Sequence, residues 1–153
     1  MLAEPARTNH FHPEHAARLL VSYRHYTGRD LLPPCADFAQ QLYQAPFVVL
    51  AHDAASDPRF TYANLVAQGL FDMPWQTIVG LPSRFSAEAP EREERERLLA
   101  RVAAQGYIDD YAGVRVAASG QRFQVRNATV WNLIDAAGGV VGQAACFGDW
   151  HAL

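Results

Sequence analysis

The chain has 153 residues, 50% of them hydrophobic and 19% charged, with 10 Gly, 9 Pro and a formal net charge of -3 at pH 7. That length suits one domain with a single core, and the composition excludes collagen-like, disordered and disulfide-scaffold classes. The charge offers no electrostatic hold to nucleic acid or an anionic membrane. All 13 basic residues are Arg, which removes lysine Schiff-base chemistry and a P-loop lysine. Cys35 and Cys146 form no CxxC pair, so zinc-ribbon and thioredoxin-like motifs are absent, and a single disulfide between them stays open. Residues 1–12 are polar, and the longest apolar stretch, Phe47 to Ala51, is far too short to span a bilayer, so a cytoplasmic protein is expected.

Residues 1–12 read as a flexible tail. Pro13 suits a first helical position, and Ala16, Leu19, Leu20, Tyr23 and Tyr26 recur at helical spacing up to a stop at Gly28. After the Pro33-Pro34 break, Phe38, Leu42 and Tyr43 mark a second short helix. Phe47 to Leu50 reads as a buried strand, Asp53 to Pro58 as turn, and Phe60-Thr61-Tyr62 as a second strand. Asn64 stands where a cap belongs, ahead of Leu65, Val66, Leu70 and Phe71.

Met73 to Glu88 is irregular, broken by Pro74, Gly80 and Pro82. Pro90 opens a helix that ends at Gly106, with Leu98, Leu99 and Val102 as its inner stripe. Its four Glu and four Arg between Glu91 and Arg101 read as a solvated face, with Glu91–Arg95 and Glu93–Arg97 as i,i+4 pairs. The period then switches to two. Val114 to Ala118, Gln121 to Ile134 and Val140 to Phe147 form an antiparallel meander with turns at Ser119-Gly120 and Asp135 to Gly139. Simple alternation puts Phe123, Val125, Asn127, Thr129, Trp131 and Leu133 on one face.

Two strands, short helices and three strands make an α+β domain, and this order resembles the PAS fold. More specifically, the chain resembles bacterial MEKHLA-domain proteins, a PAS-related family. The resemblance rests on Ser22-Tyr23-Arg24, Thr27-Gly28-Arg29, Ala45-Pro46-Phe47, Asp57-Pro58, Tyr62-Ala63-Asn64 and Pro82-Ser83-Arg84 with Ala87-Glu88. It continues through Gly106 to Tyr111, Gly113, Arg115, Thr129-Val130-Trp131-Asn132 and Gly142-Gln143-Ala144-Ala145. It implies a five-stranded antiparallel sheet with short helices on one face. The division is then a tail at 1–12, a helical extension at 13–44, a PAS-like domain at 45–148 and a C-terminal tail at 149–153. PAS-like domains sense small molecules, redox state or light, or dimerise, and fold alone does not choose among these.

Gly80-Leu81-Pro82-Ser83-Arg84-Phe85 also resembles the flavin loop of light-oxygen-voltage domains, G-R-N-C-R-F. Ser83 replaces the photoreactive cysteine, so thiol–flavin photochemistry is not expected. The resemblance would assign Arg84 a phosphate, while Leu81-Pro82 departs from the polar pair that holds the flavin ring. The bland alternative makes Ser83 and Arg84 structural, capping or pairing with Glu88. Asn127 and Trp131 are pocket candidates because a polar amide on an apolar face needs a partner. Arg115 and Gln143 are polar residues amid apolar strands, and the small residues after Gln143 leave room for a ligand or for close helix packing. The glutamine of the flavin family lies one position further from its glycine, on the other face, so that role is not carried over. The ligand-binding set is thus Asn64, Trp75, Ser83, Arg84, Phe85, Arg115, Asn127, Trp131 and Gln143.

His10, His12 and His15 lie close in sequence, but no second shell for a metal is visible. The preferred reading is a non-catalytic sensory module that binds an unknown small molecule, flavin being one option. A homodimer would form through the N-terminal helix, with Leu19, Leu20, Tyr23 and Tyr26 as the seam. One alternative is a small cone-fold enzyme with His52 and Asp53, or Asp109 and Asp110, as acid and base. Another is a protein–protein scaffold whose cavity is filled by Phe and Trp side chains.

Overall fold

Pro13 and Gly28 bracket the first helix as their backbone chemistry dictates. The computed structural model describes residues 2–153, and only the backbone of residues 89–91. Helix α1 (Pro13–Thr27) begins on its proline, and Gly28, at φ +72°, returns its N–H to the Arg24 carbonyl. Its Ala16, Leu19, Ser22 and Tyr23 are buried. Next come α2 (Phe38–Tyr43), β1 (Val48–Asp53), β2 (Phe60–Ala63), α3 (Leu65–Phe71) and α4 (Trp75–Ile78). A 3₁₀ turn (Ser83–Ser86) leads to α5 (Ala89–Gln105), then β3 (Tyr107–Val116), β4 (Arg122–Ile134), β5 (Val140–Phe147) and β6 (Asp149–Ala152).

The antiparallel sheet runs β2-β1-β5-β4-β3, with β6 added against β4. The five expected strands are present, and a sixth lies in the residues expected as a C-terminal tail. β5 pairs with the second half of β4 (Thr129↔Cys146) and β6 with the first half (Arg126↔Asp149) in the same register, which shifts at the far end of β5, between Leu133 and Ile134. The two strands are one ribbon, interrupted at Gly148.

One row of the sheet explains where α1 lies. Tyr62, Ala51, Ala144 and Trp131 are successive cross-strand partners on β2, β1, β5 and β4. The two alanines make a trough between large rings, and α1 fills it. His15 lies 5.4 Å from the Tyr62 ring, and Tyr23 packs edge-on to Trp131 at 5.0 Å. Trp131 Nε1 donates to the Leu19 carbonyl (3.2 Å), and Ile134 N donates to Ser22 Oγ (3.0 Å). The small residues of β5 thus serve close helix packing on this face. Leu19 (0% exposed) and Tyr23 (8%) are consumed within the chain, which removes them from the expected dimer seam.

The first residues are packed as well, contrary to the expected tail. Trp75 Nε1 donates to Leu2 O and Tyr43 Oη to Glu4 Oε1, both at 2.9 Å. A 3₁₀ turn at Arg7–Asn9 carries the chain into α1.

The other face of the sheet is concave and carries α3, the 3₁₀ turn and α5. A bulge sets which β4 residues reach it. Between the pairs Gly113↔Val125 and Tyr111↔Ala128, β4 has two residues, Arg126 and Asn127, against Ala112 alone. Asn127 sits at φ +53°. Val125, Ala128, Val130 and Asn132 therefore share the concave side, while Trp131 goes to the α1 side. Simple alternation had put Asn127 and Trp131 with Val125, and the extra residue is why it fails. Gly142 is required where β5 meets β1, because a Cβ there would collide with the His52 carbonyl oxygen.

Candidate functional site

A cavity of about 80 Å³ lies between the concave sheet face and α3, the 3₁₀ turn and α5. Leu50, Phe60, Phe71, Leu98, Val130 and Phe147 supply apolar walls. Its polar groups are His52 (β1), Arg95 (α5), Tyr111 and Arg115 (β3), Gln143 (β5) and Ser86. No carboxylate lines it among the described residues. An apolar recess with a few convergent polar groups is the usual build of a small-molecule site.

Arg95 is the unusual member. It is only 8% exposed, whereas the charge run predicts a solvated side chain. Its guanidinium donates to Ser83 Oγ, and no carboxylate pairs with it among the described residues. Glu91, its expected partner, has a side chain outside the described residues, and no ion pair joins Glu93 to Arg97 among those described. Burial pulls Arg95 down to about 10, with the nearby Arg115 charge adding to the effect. The sequence carried a signal for this position: Arg95 falls on the 95-98-99-102 stripe with Leu98, Leu99 and Val102, one turn ahead of them.

Gln143 is 9% exposed. Its Nε2 donates to Asn132 Oδ1 (3.2 Å) and faces Leu99 O at 3.5 Å, while Asn132 Nδ2 donates to Val102 O (3.2 Å). This chain of bonds fixes both amides and ties β4 and β5 to α5. Gln143 Oε1 is left buried without a donor among the described residues. Across the sheet, His52 pairs with Gln143, and its Nδ1 bonds to Asp53 O (2.7 Å). Burial lowers the His52 pKa, which favours the neutral ring.

Of the nine expected ligand residues, the structure brings Arg115 and Gln143 to this cavity. Ser83 stands one contact behind it, as the acceptor for Arg95. Asn64 is a structural hub: its Oδ1 accepts from Ala67 N and Val49 N, and its Nδ2 donates to Phe47 O and Leu42 O. Every polar atom of that amide is used, so none remains for a ligand. Trp75 packs among Tyr43 and Tyr62 and is tied to Leu2. Arg84 pairs with Asp57 at 3.2 Å rather than Glu88, which binds Arg122, and stacks over Phe85 at 4.3 Å. Phe85 is 46% exposed. Asn127 lies at the surface and donates to Asp149 Oδ2 (3.3 Å), while Trp131 is under α1. Sequence reasoning missed Arg95, Tyr111 and Ser86.

The acid–base pairs of the enzyme alternative do not assemble. Asp53 Oδ1 accepts from Ala55 N and Arg59 N as a turn residue. Asp109 and Asp110 are exposed and face Arg29 and Arg101 at 3.7 and 3.9 Å. Among the described residues no three His, Cys, Asp or Glu side chains cluster as metal ligands. His12 bonds to Ala3 O, and His15 turns toward Tyr62. Cys35 and Cys146 are free. No helix among the described residues is long and apolar enough to cross a membrane.

The residues present do not fit a flavin. Sites for ligands of that size run to roughly 300–1,000 Å³, well above this cavity. Ser83 is engaged by Arg95, and Arg84 and Phe85 face away from the cavity. No step is routed through that cofactor.

Sheet order, concave helical face and central cavity define a PAS-like α+β fold. The structure is similar to an RNA-binding light-oxygen-voltage receptor (TM-score 0.61, 17% identity, 77% of this chain and 36% of that one). It is also similar to a variant of Vivid (0.60, 14%, 85% and 96%) and to the PAS domain of a protein from Colwellia psychrerythraea (0.59, 14%, 72% and 92%). This chain spans about a third of the RNA-binding receptor's length. No curated protein matches. The MEKHLA domain profile matches residues 13–152, and the chain belongs to that family.

Proposed function

We propose that the protein is a non-catalytic sensory module in which a small molecule occupies the cavity beneath α5. One observation carries this reading: an apolar recess holds the buried Arg95 guanidinium, which pairs with no carboxylate among the described residues, and Gln143, whose Oε1 has no donor among them. Buried polar groups are normally satisfied, so a ligand that completes them stabilises the native state. Such a ligand would touch β1, β3, β5 and α5 together, and its arrival would change how firmly α5 is held. A dimer built on α1 has to use the outward face of that helix, where Val21 is 63% exposed.

The test is a thermal-shift screen of the full chain against a broad panel of small metabolites, nucleotides and flavins, repeated with Ala145→Leu to fill the cavity. At a hundredfold excess over Kd, a ligand adds about 2.7 kcal/mol. For a chain of this size that is a rise of roughly 5–10 °C. The filled variant should lose the rise. A panel in which nothing raises Tm, or in which Ala145→Leu responds like the parent, refutes the reading.

A further inference from the structure

Resting on that reading, we propose that the ligand is a small carboxylate anion, held by the Arg95 guanidinium against the apolar walls of the cavity. The first argument is charge. Arg95 is more than nine-tenths buried, lines the cavity and donates to a neutral hydroxyl, Ser83 Oγ. No carboxylate lies within 4.0 Å of it among the described residues. A buried cation is tolerable when an anion is brought to it, and a planar guanidinium matches a carboxylate through two parallel N–H bonds. Arg95 brings a positive charge to the site, and no acidic residue among those described lines it. A cationic ligand would be repelled.

Size and wall chemistry narrow the class. A cavity of about 80 Å³, far below the roughly 300–1,000 Å³ of sites for drug-sized ligands, suits a carboxylate of two or three carbons. Leu50, Phe60, Phe71 and Leu98 give a short alkyl end an apolar surface and leave a strongly hydrated polyanion such as phosphate unsatisfied over most of its surface. The arrangement reads as a carboxylate at the α5 side with its carbon tail toward the sheet.

The experiment titrates the full chain with sodium acetate and sodium propionate, and in parallel with propionamide and sodium phosphate at matched ionic strength. Two-dimensional NMR of labelled protein gives the affinity and the residues affected. The expected result is saturable binding of the carboxylates, with shifts centred on Arg95, Arg115 and Gln143. Propionamide and phosphate should bind at least tenfold more weakly. Arg95→Met should lower propionate affinity at least tenfold. Arg84→Met, at an arginine that pairs with Asp57 outside the cavity, should leave propionate affinity unchanged. Propionamide or phosphate binding as well as propionate, or Arg95→Met leaving the affinity unchanged, overturns the inference. If no carboxylate binds while the wider panel yields a neutral or larger ligand that Ala145→Leu abolishes, the anion assignment fails and the sensor reading stands.

Discussion

Arg95 makes a prediction that needs no ligand: replacing it with Met should stabilise the protein. The pKa of Arg95 is pulled from 12.5 down to about 10, first by burial and then by Arg115. The unfolded chain holds the proton more tightly, so at neutral pH, where both states are charged, this difference works against folding. At about 1.4 kcal/mol per tenfold change in proton affinity, the cost is on the order of 3 kcal/mol. It is fully present at neutral pH and is relieved only as pH rises above about 10. Met has a similar helix preference and an unbranched stem that follows the same path. Against the gain, the hydrogen bond to Ser83 is lost, worth about 1.5–3 kcal/mol with a charged donor. The net expectation is about 1 kcal/mol of stabilisation, a Tm rise of roughly 2–4 °C for a domain of this size. Ser83→Ala in the Arg95→Met background should raise Tm further, whereas Ser83→Ala alone should lower it. Thermal and urea unfolding of the four proteins without ligand gives the cycle. A fall of several degrees in Arg95→Met would mean that the guanidinium is well paired in the folded chain, and the reasoning about the cavity would go with it.

Asn64→Ala removes four buried hydrogen bonds and should cost about 2–4 kcal/mol in urea unfolding, with ligand affinity unchanged. Gly142→Ala sets a Cβ against the His52 carbonyl oxygen and should cost at least about 2 kcal/mol by the same measurement. His15 is pulled down to about 4 by burial, Arg18 and His12, so the unfolded chain binds its proton first. Stability should be full above about pH 6.5 and fall by on the order of 3 kcal/mol toward pH 4. His15→Phe, which keeps the ring contact with Tyr62, should flatten that loss in Tm measured from pH 4 to 7. Trp75→Phe deletes the bond to Leu2, and limited proteolysis should then cut residues 2–12 faster.

The order of elements was legible because it rests on periodicity and punctuation: Pro13 and Gly28 around α1, Asn64 before α3, the meander after Gly106. The site was less so, for reasons that can be stated. Asn64 was recognisable as a cap, but its bonds to Leu42, Phe47 and Val49 depend on chain far away in sequence. Asn127 and Trp131 went to the wrong place because one extra residue at the bulge moves every later side chain of β4 to the opposite face. β6 has four residues and no turn signal apart from Gly148, too little for a pattern. Arg95 was hidden by its neighbours: amid seven other charges it read as solvent-facing, although its position on the inner stripe marked it.

The trough formed by Ala51 and Ala144 bears on how this protein would behave in pieces. A chain begun at residue 45 would keep every strand yet leave Tyr62 and Trp131 flanking an open, oily furrow shaped for a helix. Such a fragment would borrow a helix from whatever is nearby, another copy included. Pairing seen in a shortened protein would therefore report a wound rather than a native interface, and α1 belongs to the smallest unit whose assembly state has meaning.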